Sequence, residues 1–149
     1  MTGPKTNAPV LASRPNLPRI RSIRPEFWAS EDVAALPWDV IYDGPMPRRV
    51  SSVAPMSSGC EYVYMLFDAS DNLVYVGRSF RPADRFTKHR RKAWWSDVAA
   101  VVLVRVSEAP TWTRAPWSTV GPNTVRLEDC AIEMLHPRAN IAAPARVAA

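Results

Sequence analysis

The sequence has few of the features that mark secreted or membrane proteins. Its 149 residues include only two cysteines, Cys60 and Cys130, and these stand in no paired spacing typical of a metal site. The first residues contain no apolar segment of the length that a signal peptide needs, and no stretch approaches the roughly 20 apolar residues that span a bilayer. We therefore expect a cytoplasmic protein without a membrane helix. Both cysteines are expected to be buried thiols, and the sequence leaves a disulfide between them open.

The length and the local composition predict one domain behind an N-terminal arm. A chain of this size can form one hydrophobic core but not two of ordinary size. Residues 1 to about 22 are rich in proline and polar residues without a period, which indicates a loosely attached arm. Residues 23–42 contain one short helical pattern, and residues 43–59 hold three prolines, two glycines and several serines, which is typical of a linker. We therefore predict an arm and linker over 1–58 and a domain over 59–149.

Within the predicted domain, the pattern is that of a small α/β fold. Two segments rich in aromatic and β-branched residues are separated by a short turn and predict a β-hairpin. A basic helix, a buried strand and a last helix follow. In order, the predicted elements are strands 61–68 and 73–77, a helix over 81–93, a strand over 97–108 and a helix over 123–136. The order β, β, α, β, α predicts a small sheet flanked by helices.

Positive charge is concentrated in one short window. The chain has a net charge of +5, whereas residues 78–92 alone carry +6 and the rest of the chain sums to −1. Such a cluster favours a polyanionic partner, because each neutralised phosphate releases counterions. A solvated helix face explains the charge alone equally well. The candidate nucleic-acid-binding residues are Arg78, Arg81, Lys88, Arg90, Arg91 and Lys92.

Helical spacing identifies further candidate site residues. Arg85 and His89 are four positions apart on the predicted basic helix, so they share one face. Glu128 lies at the edge of the apolar stripe of the last helix, where an unpaired buried charge is costly. Glu128 therefore either binds a cation or forms a salt bridge. The sequence offers Arg126, Arg138 or Arg85 as its partner and leaves both possibilities open.

These residues belong to a series that resembles the motifs of the GIY-YIG nucleases. The series consists of "YVY" at 62–64, "YVG" at 75–77, Arg85 with His89, and Glu128 followed by Pro137 and Asn140. It covers residues 61–141 and departs from the family pattern at Tyr62, where the first motif has glycine. The resemblance implies a three-stranded, mostly antiparallel sheet flanked by helices. It also implies hydrolysis of nucleic-acid phosphodiester bonds with one divalent metal ion.

The resemblance assigns a role to each matching residue. Tyr64 and Tyr75 would contact the attacking water, and we favour Tyr64 as the group that takes its proton. A free phenol has a pKa of about 10, so we expect nearby cations, namely Arg78, Arg85 and His89 with the metal, to lower it. Arg85 would also hold the scissile phosphate through its planar fork of donors. His89 would hydrogen-bond a tyrosine hydroxyl or the phosphate.

The resemblance further implies a metal cofactor and a DNA partner. Glu128 would bind Mg²⁺ or Mn²⁺, Gly77 would let the backbone turn or approach a ligand at the end of its strand, and Asn140 would fix the chain near Glu128. We therefore expect a metal-dependent endonuclease acting on duplex or branched DNA. The alternative is a nucleic-acid-binding module of the same fold with little or no cleavage. Cross-strand packing is the alternative role of the two tyrosines.

The segment before the linker carries a weaker resemblance. Residues 19–39 resemble the opening of winged-helix modules in phage and actinobacterial DNA-binding proteins, but the remaining helices and the wing are absent. Such an arm would add DNA contacts, bind a protein partner or pack on the domain.

Overall fold

The described part of the chain contains short helices and four strands. A computed structural model of the protein describes residue 23 and residues 25–53, 60–109 and 121–141, without the side chains of Cys60 and Ile141. The helices are α1 (Pro25–Ala29), α2 (Glu31–Ala34), α3 (Pro82–His89), α4 (Pro122–Leu135) and α5 (Arg138–Ile141). The strands are β1 (Trp38–Pro45), β2 (Cys60–Asp68), β3 (Leu73–Ser79) and β4 (Val98–Ser107). Two 3₁₀ turns, Val50–Ser52 and Ala93–Asp97, follow β1 and α3.

The four strands form one antiparallel sheet in the order β1-β4-β2-β3. The predicted α/β class is confirmed, and so are the hairpin of β2 with β3, the strand β4 and the long helix α4. The basic helix is shorter than predicted, because α3 ends at His89 and a 3₁₀ turn follows it. Strands β2 and β4 occupy the centre of the sheet, and β3 is an edge strand beside β2.

Strand β1 corrects the predicted number of strands, because the sheet has four where three were expected. It lies in residues that the sequence predicted as arm and linker. Trp38 and Val40 are buried, whereas Asp39 between them is exposed, which is the alternation of a half-buried strand. Pro45 suits an edge strand, because proline cannot donate to a further ladder of hydrogen bonds. Residues before position 58 therefore contribute both a strand and core side chains.

Both faces of the sheet are buried, because successive residues of β2 enter two different cores. The first core joins Val63, Met65 and Phe67 of β2 to Phe27, Trp28, Val33, Leu127 and Ala131 of helices α1, α2 and α4. The second core joins Tyr62, Tyr64 and Leu66 of β2 to Phe86 of α3, with Trp94 and Trp95 packed against it. Helix α3 and the site residues on it therefore lie on the opposite face of the sheet from α4.

Replacing Trp38 by alanine tests whether this N-terminal part belongs to the core. The Trp38 ring packs on Trp28 with centroids 4.6 Å apart, and its Nε1 donates to the carbonyl of Val33 at 2.8 Å. We expect the free energy of unfolding to fall by about 3–5 kcal/mol, the usual cost of removing a buried tryptophan. The urea denaturation midpoint measures this loss. Asp39→Ala on the same strand removes only an exposed ion pair to Arg105 and is expected to cost less than about 1 kcal/mol; equal losses would contradict the assignment.

The structure describes one of the two cysteine side chains and none of the predicted arm before residue 23. Cys130 is a buried free thiol, as predicted, whereas the side chain of Cys60 lies outside the described residues. Residues 1–22, predicted as an arm, also lie outside them, as do residues 110–120 between the predicted last strand and last helix. Among the described helices, none combines the length and the apolar character needed to cross a membrane.

Candidate active site

Tyr64, Tyr75 and His89 meet on the face of the sheet that α3 covers. Tyr64 is fully buried in β2, and its hydroxyl lies 2.8 Å from Nε2 of His89, the last residue of α3. Tyr75 in β3 stacks on Tyr64 with ring centroids 6.2 Å apart and meets the His89 ring edge-on at 4.8 Å. In the sheet register Tyr64 pairs with Gly77 and Tyr75 with Leu66, so the tyrosines are diagonal neighbours on one face.

Gly77 makes room for the Tyr64 ring. An added Cβ at Gly77 would lie 2.3 Å from the Tyr64 hydroxyl oxygen and 2.4 Å from Cζ, far inside van der Waals contact. The glycine that ends the "YVG" motif is therefore required by the side chain opposite it on β2. It allows the Tyr64 hydroxyl to lie across β3, next to the edge of the sheet.

Gly77→Ala is expected to displace the Tyr64 ring. Because this ring is fully buried and cannot move away freely, we expect a loss of stability of about 1–3 kcal/mol, typical of overpacking, together with loss of the Tyr64–His89 hydrogen bond. Urea denaturation measures the first effect. Gly44→Ala is the matched control, because its added Cβ would meet the half-buried Tyr42 at 3.2 Å, where a small shift relieves the contact. Equal losses in the two variants would show that Gly77 has no special role.

Burial is the first cause that raises the pKa of Tyr64 above its usual value, and the Tyr75 hydroxyl and the Glu128 carboxylate add to this effect. Arg85 acts in the opposite sense, through hydrogen bonding and its positive charge. The sequence led us to expect a lowered pKa. Burial outweighs the nearby cation, so the Tyr64 hydroxyl is protonated at neutral pH.

His89 is neutral at physiological pH. Its pKa is lowered to about 4, first by burial and then by the positive charges of Arg85 and Lys92. A neutral imidazole has one bare nitrogen. When Nε2 is the bare nitrogen, it accepts the hydrogen bond of the Tyr64 hydroxyl. His89 is therefore not one of the cations that the sequence predicted, but a hydrogen-bonded proton acceptor beside Tyr64.

The lowered pKa of His89 predicts a specific acid sensitivity. The unfolded histidine has a pKa of about 6.5 and the folded one about 4, so between these values the unfolded chain binds a proton that the folded chain does not. The contribution of His89 to stability is therefore complete above about pH 6.5 and is lost as the pH falls towards about 4. We expect the urea midpoint of the wild type to fall more steeply over this window than that of His89→Gln. Parallel curves would contradict the pKa assignment.

Arg85 lies beside the two tyrosines, one turn before His89 on α3. Favourable interaction with the Tyr64 hydroxyl is the main cause that raises the pKa of Arg85, and Tyr75 contributes in the same direction. Its Nε is shut off from solvent and has no hydrogen-bond partner among the described residues. The guanidinium therefore lies next to Tyr64 and Tyr75, and the Arg85 side chain also lines the cleft described next.

A basic cleft opens next to this cluster. Its volume is about 560 Å³, and it is lined by Tyr75, Arg85, Lys88, His89, Arg91 and Lys92. A second groove of about 420 Å³ is lined by Asp84, Thr87, Lys88 and Arg91. Lys88 and Arg91 line both spaces, so they stand between them. The cleft thus joins the Tyr75–Arg85–His89 cluster to a positively charged surface on the outer side of α3.

The other predicted nucleic-acid-binding residues lie outside this cleft. Arg81 and Arg90 are exposed, and Arg81 is 3.7 Å from Asp84 on the first turn of α3. Arg78 points to the other face of the sheet, where it contacts Glu128. The structure therefore divides the predicted basic patch into cations that line the cleft, cations on the outer surface, and Arg78.

Glu128 forms a salt bridge with Arg78. Nη1 of Arg78 donates to Oε1 of Glu128 at 2.7 Å, and the carboxylate side chain is only 11% exposed. None of the three partners expected from the sequence makes this contact among the described residues, because Arg126 pairs with Asp32, Arg138 pairs with two other carboxylates, and Arg85 lies beside the tyrosines. The predicted need of Glu128 for a cation is met by an arginine of the edge strand β3.

Glu128 is the one predicted metal ligand, and its chemistry can be compared with what a divalent ion needs. No group of three or more His, Cys, Asp or Glu side chains that could hold a metal occurs in the described ranges. Mg²⁺, however, commonly uses one or two carboxylates and takes its remaining ligands from water and substrate phosphate. A buried carboxylate oxygen of Glu128 fits that chemistry, and the negative charge of Glu128 contributes to the raised pKa of Tyr64.

Asn140 fixes the edge strand. Its Oδ1 accepts a hydrogen bond from the Val76 amide at 2.8 Å, and its Nδ2 donates to the Val76 carbonyl at 3.0 Å. Asn140 thereby satisfies both backbone groups on the outer edge of β3 between Tyr75 and Gly77. The sequence predicted a supporting residue near Glu128, and the structure attaches it to the strand that carries Arg78.

Sequence reasoning missed two contributions to the site. The Trp94 ring stacks on Tyr75, with centroids 4.8 Å apart and an interplanar angle of 13°, and so forms an aromatic wall next to the cleft. Glu61, fully buried, accepts the Gly121 amide at 2.7 Å at the start of α4, while Glu108 accepts the amide and hydroxyl of Thr124. Two carboxylates thus hold the first turn of the helix that carries Glu128. No local pattern distinguishes Glu61 from an ordinary strand residue.

The fold defines an α/β protein with a four-stranded antiparallel sheet that is covered on both faces. Comparisons with protein-family models, with curated proteins and with solved structures give no match. A functional assignment therefore depends on the chemistry of the cleft and of the Glu128–Arg78 pair.

Proposed function

We propose that the protein is a divalent-metal-dependent endonuclease that hydrolyses phosphodiester bonds in DNA, with a site of the GIY-YIG type. The observation that carries the proposal is the hydrogen bond between the buried Tyr64 hydroxyl and neutral His89, next to Arg85 at the wall of a basic cleft. A purely structural tyrosine pair needs neither a neutral imidazole nor an adjacent arginine. Cross-strand packing alone therefore does not account for this combination.

The cleft supplies the groups that bind a phosphate. Arg85 lines the cleft, and a guanidinium matches the geometry of a phosphate through parallel donors. Lys88, Arg91 and Lys92 add positive charge around it. Arg85 holds the scissile phosphate, and the lysines and Arg91 attract its neighbours along the strand.

The Tyr64–His89 pair supplies a path for the proton of the attacking water. The water oxygen bonds to phosphorus while the opposite P–O bond breaks, and the leaving oxygen takes a proton from solvent. Once a water from the adjacent cleft reaches the buried Tyr64 hydroxyl, Tyr64 accepts the proton of that water and gives its own to the bare Nε2 of His89, 2.8 Å away. Burial raises the pKa of Tyr64, so Tyr64 is not ionised before the reaction. It passes its proton to His89 only while it takes the proton of the water.

Glu128 is the residue that holds Mg²⁺ or Mn²⁺ in this proposal. A bound ion would supply positive charge next to the reacting phosphate and would increase the acidity of water. The chain's own part is to orient Glu128 through α4, whose first turn is held by Glu61 and Glu108. Glu128 lies against the edge strand β3, where it contacts Arg78, and it would hold the ion there.

The direct test is cleavage of supercoiled plasmid and of branched DNA by the purified chain. We expect nicking in the presence of Mg²⁺ or Mn²⁺ and none in excess chelator. A chain purified in parallel with Glu128→Gln controls for contaminating nucleases. Binding without any cutting, with either metal, would exclude the nuclease proposal.

The alternative proposal is a DNA-binding module that has this fold and cuts little or not at all. The Arg78–Glu128 salt bridge favours it, because an arginine occupies the carboxylate that the metal would need. In that case the basic cleft still binds DNA with a strong dependence on salt. The cleavage assay separates the two proposals, and a DNA-binding assay alone does not.

A further inference from the structure

The Arg78–Glu128 pair joins two residues with different proposed ligands. Arg78 is a candidate for binding nucleic acid, and Glu128 is the proposed metal ligand. Arg78 follows Gly77 at the end of the edge strand β3, and Glu128 lies one turn after Thr124 on α4. Their contact is short, 2.7 Å between Nη1 and Oε1, and the carboxylate is largely buried. A single guanidinium therefore stands where a cation bound to Glu128 would have to approach.

The geometry of Arg78 is that of a releasable partner. Its side chain is 38% exposed, compared with 11% for Glu128, so solvent reaches part of the Arg78 side chain. Its Nε is buried without a hydrogen-bond partner among the described residues. An unmatched buried donor is unfavourable. A ligand that occupies more of the planar fork, as a phosphate does, would therefore hold Arg78 better than the present contact.

We propose that Arg78 is the resident counter-ion of Glu128, that it competes with the divalent ion for this carboxylate, and that a DNA phosphate opens the metal site by drawing Arg78 away. The inference rests on the proposed function, because it takes Glu128 as the metal ligand. It makes metal binding depend on the substrate. In the chain alone Glu128 is neutralised by Arg78, and when DNA is bound the phosphate neutralises Arg78 while the ion neutralises Glu128.

The test is Mn²⁺ binding to the full chain without DNA, measured from the electron paramagnetic resonance signal of the unbound ion. We expect Arg78→Gln to bind Mn²⁺ more tightly than the wild type by about fivefold or more, the lower end of usual couplings between two ligands. The double variant with Glu128→Gln is expected to lose this gain. Arg81→Gln, which removes an exposed cation two positions from the end of β3, is the matched control and should leave Mn²⁺ binding unchanged.

A second measurement uses the fact that two coupled ligands must affect each other's binding equally. If Mn²⁺ and the phosphate assist each other through Arg78, then Mn²⁺ must tighten binding of a fluorescent phosphorothioate DNA duplex to the wild type. In Arg78→Gln the duplex affinity should be the same with and without Mn²⁺. Fluorescence anisotropy measures both affinities.

Each outcome supports or overturns the proposal. Unchanged or weaker Mn²⁺ binding in Arg78→Gln overturns it, and so does a gain that survives in the double variant. If neither Arg78→Gln nor Arg78→Lys folds, as judged by circular dichroism, the pair is a structural requirement and the proposal also falls. Tighter Mn²⁺ binding at Glu128 without cleavage by any variant would sustain the inference and exclude the nuclease. Cleavage by the wild type together with unchanged Mn²⁺ binding in Arg78→Gln would overturn the inference and leave the nuclease proposal standing.

Discussion

Replacing Glu128 by glutamine will abolish DNA cleavage and leave DNA binding nearly unchanged. The amide keeps the size of the side chain and can still accept a hydrogen bond from Arg78, but it loses the negative charge that holds a divalent ion. Metal ions contribute several kcal/mol to such reactions, so we expect the rate to fall by about 10³-fold or more. Plasmid nicking measures the rate and fluorescence anisotropy measures the affinity, which the basic cleft supplies.

Glu133→Gln is the matched control for this experiment. Glu133 is an exposed carboxylate on the same helix, α4, so its replacement removes the same charge from the surface without touching the site. We expect wild-type rates from this variant. Rapid cleavage by Glu128→Gln would remove Glu128 from the mechanism, whatever the control shows.

Replacing Tyr64 by phenylalanine is expected to reduce the cleavage rate by about 10²–10⁴-fold, the usual contribution of a general base. The ring stays between Tyr75 and Phe86, so packing changes little. The hydroxyl is lost, and with it the hydrogen bond to His89. Since an unmatched buried acceptor costs about 1–3 kcal/mol, we also expect a measurable loss of stability.

The pH dependence separates Tyr64 from Tyr75. If Tyr64 takes the proton of the water and passes its own to neutral His89, the rates of wild type and of Tyr75→Phe will fall as the pH drops towards about 4, where His89 takes up a proton, whereas the residual rate of Tyr64→Phe will be flat. Single-turnover rates at several pH values measure this. A flat profile in Tyr75→Phe instead would exchange the roles of the two tyrosines. Rates near wild type in both variants would mean that neither hydroxyl takes part.

Local patterns in the sequence were sufficient for most elements of the domain. The hairpin, strand β4 and helix α4 follow from strings of β-branched residues and from a 3.6-residue apolar period, both of which are local signals. Strand β1 was missed because Gly44 and Pro45 indicate a turn, and because its partner β4 begins more than fifty positions later. Pairing between distant strands depends on tertiary packing, which no local window contains.

In the candidate site, too, local sequence signals predicted some groupings, and contacts between distant residues could not be predicted. The grouping of Arg85 with His89 follows from helical spacing, and the resemblance added the two tyrosines. The Arg78–Glu128 pair joins residues fifty positions apart and exists only because α4 packs along β3. The protonation states of Tyr64 and His89 were also beyond the sequence, because burial dominates both pKa values and burial is a property of the assembled core.

The pairing of β1 with β4 also sets the timing of assembly during synthesis. Trp38 pairs with Val106, so the ribosome must add almost seventy further residues before the first strand can find its neighbour. At about 5–20 residues per second, this takes roughly 3–14 s. Throughout that interval the apolar side chains of Phe27, Trp28 and Trp38 lack the side chains of β4 and α4 that complete their core. The nascent chain is therefore expected to depend on chaperones at its N-terminal end, while the hairpin that carries Tyr64 and Tyr75 can form as soon as it emerges.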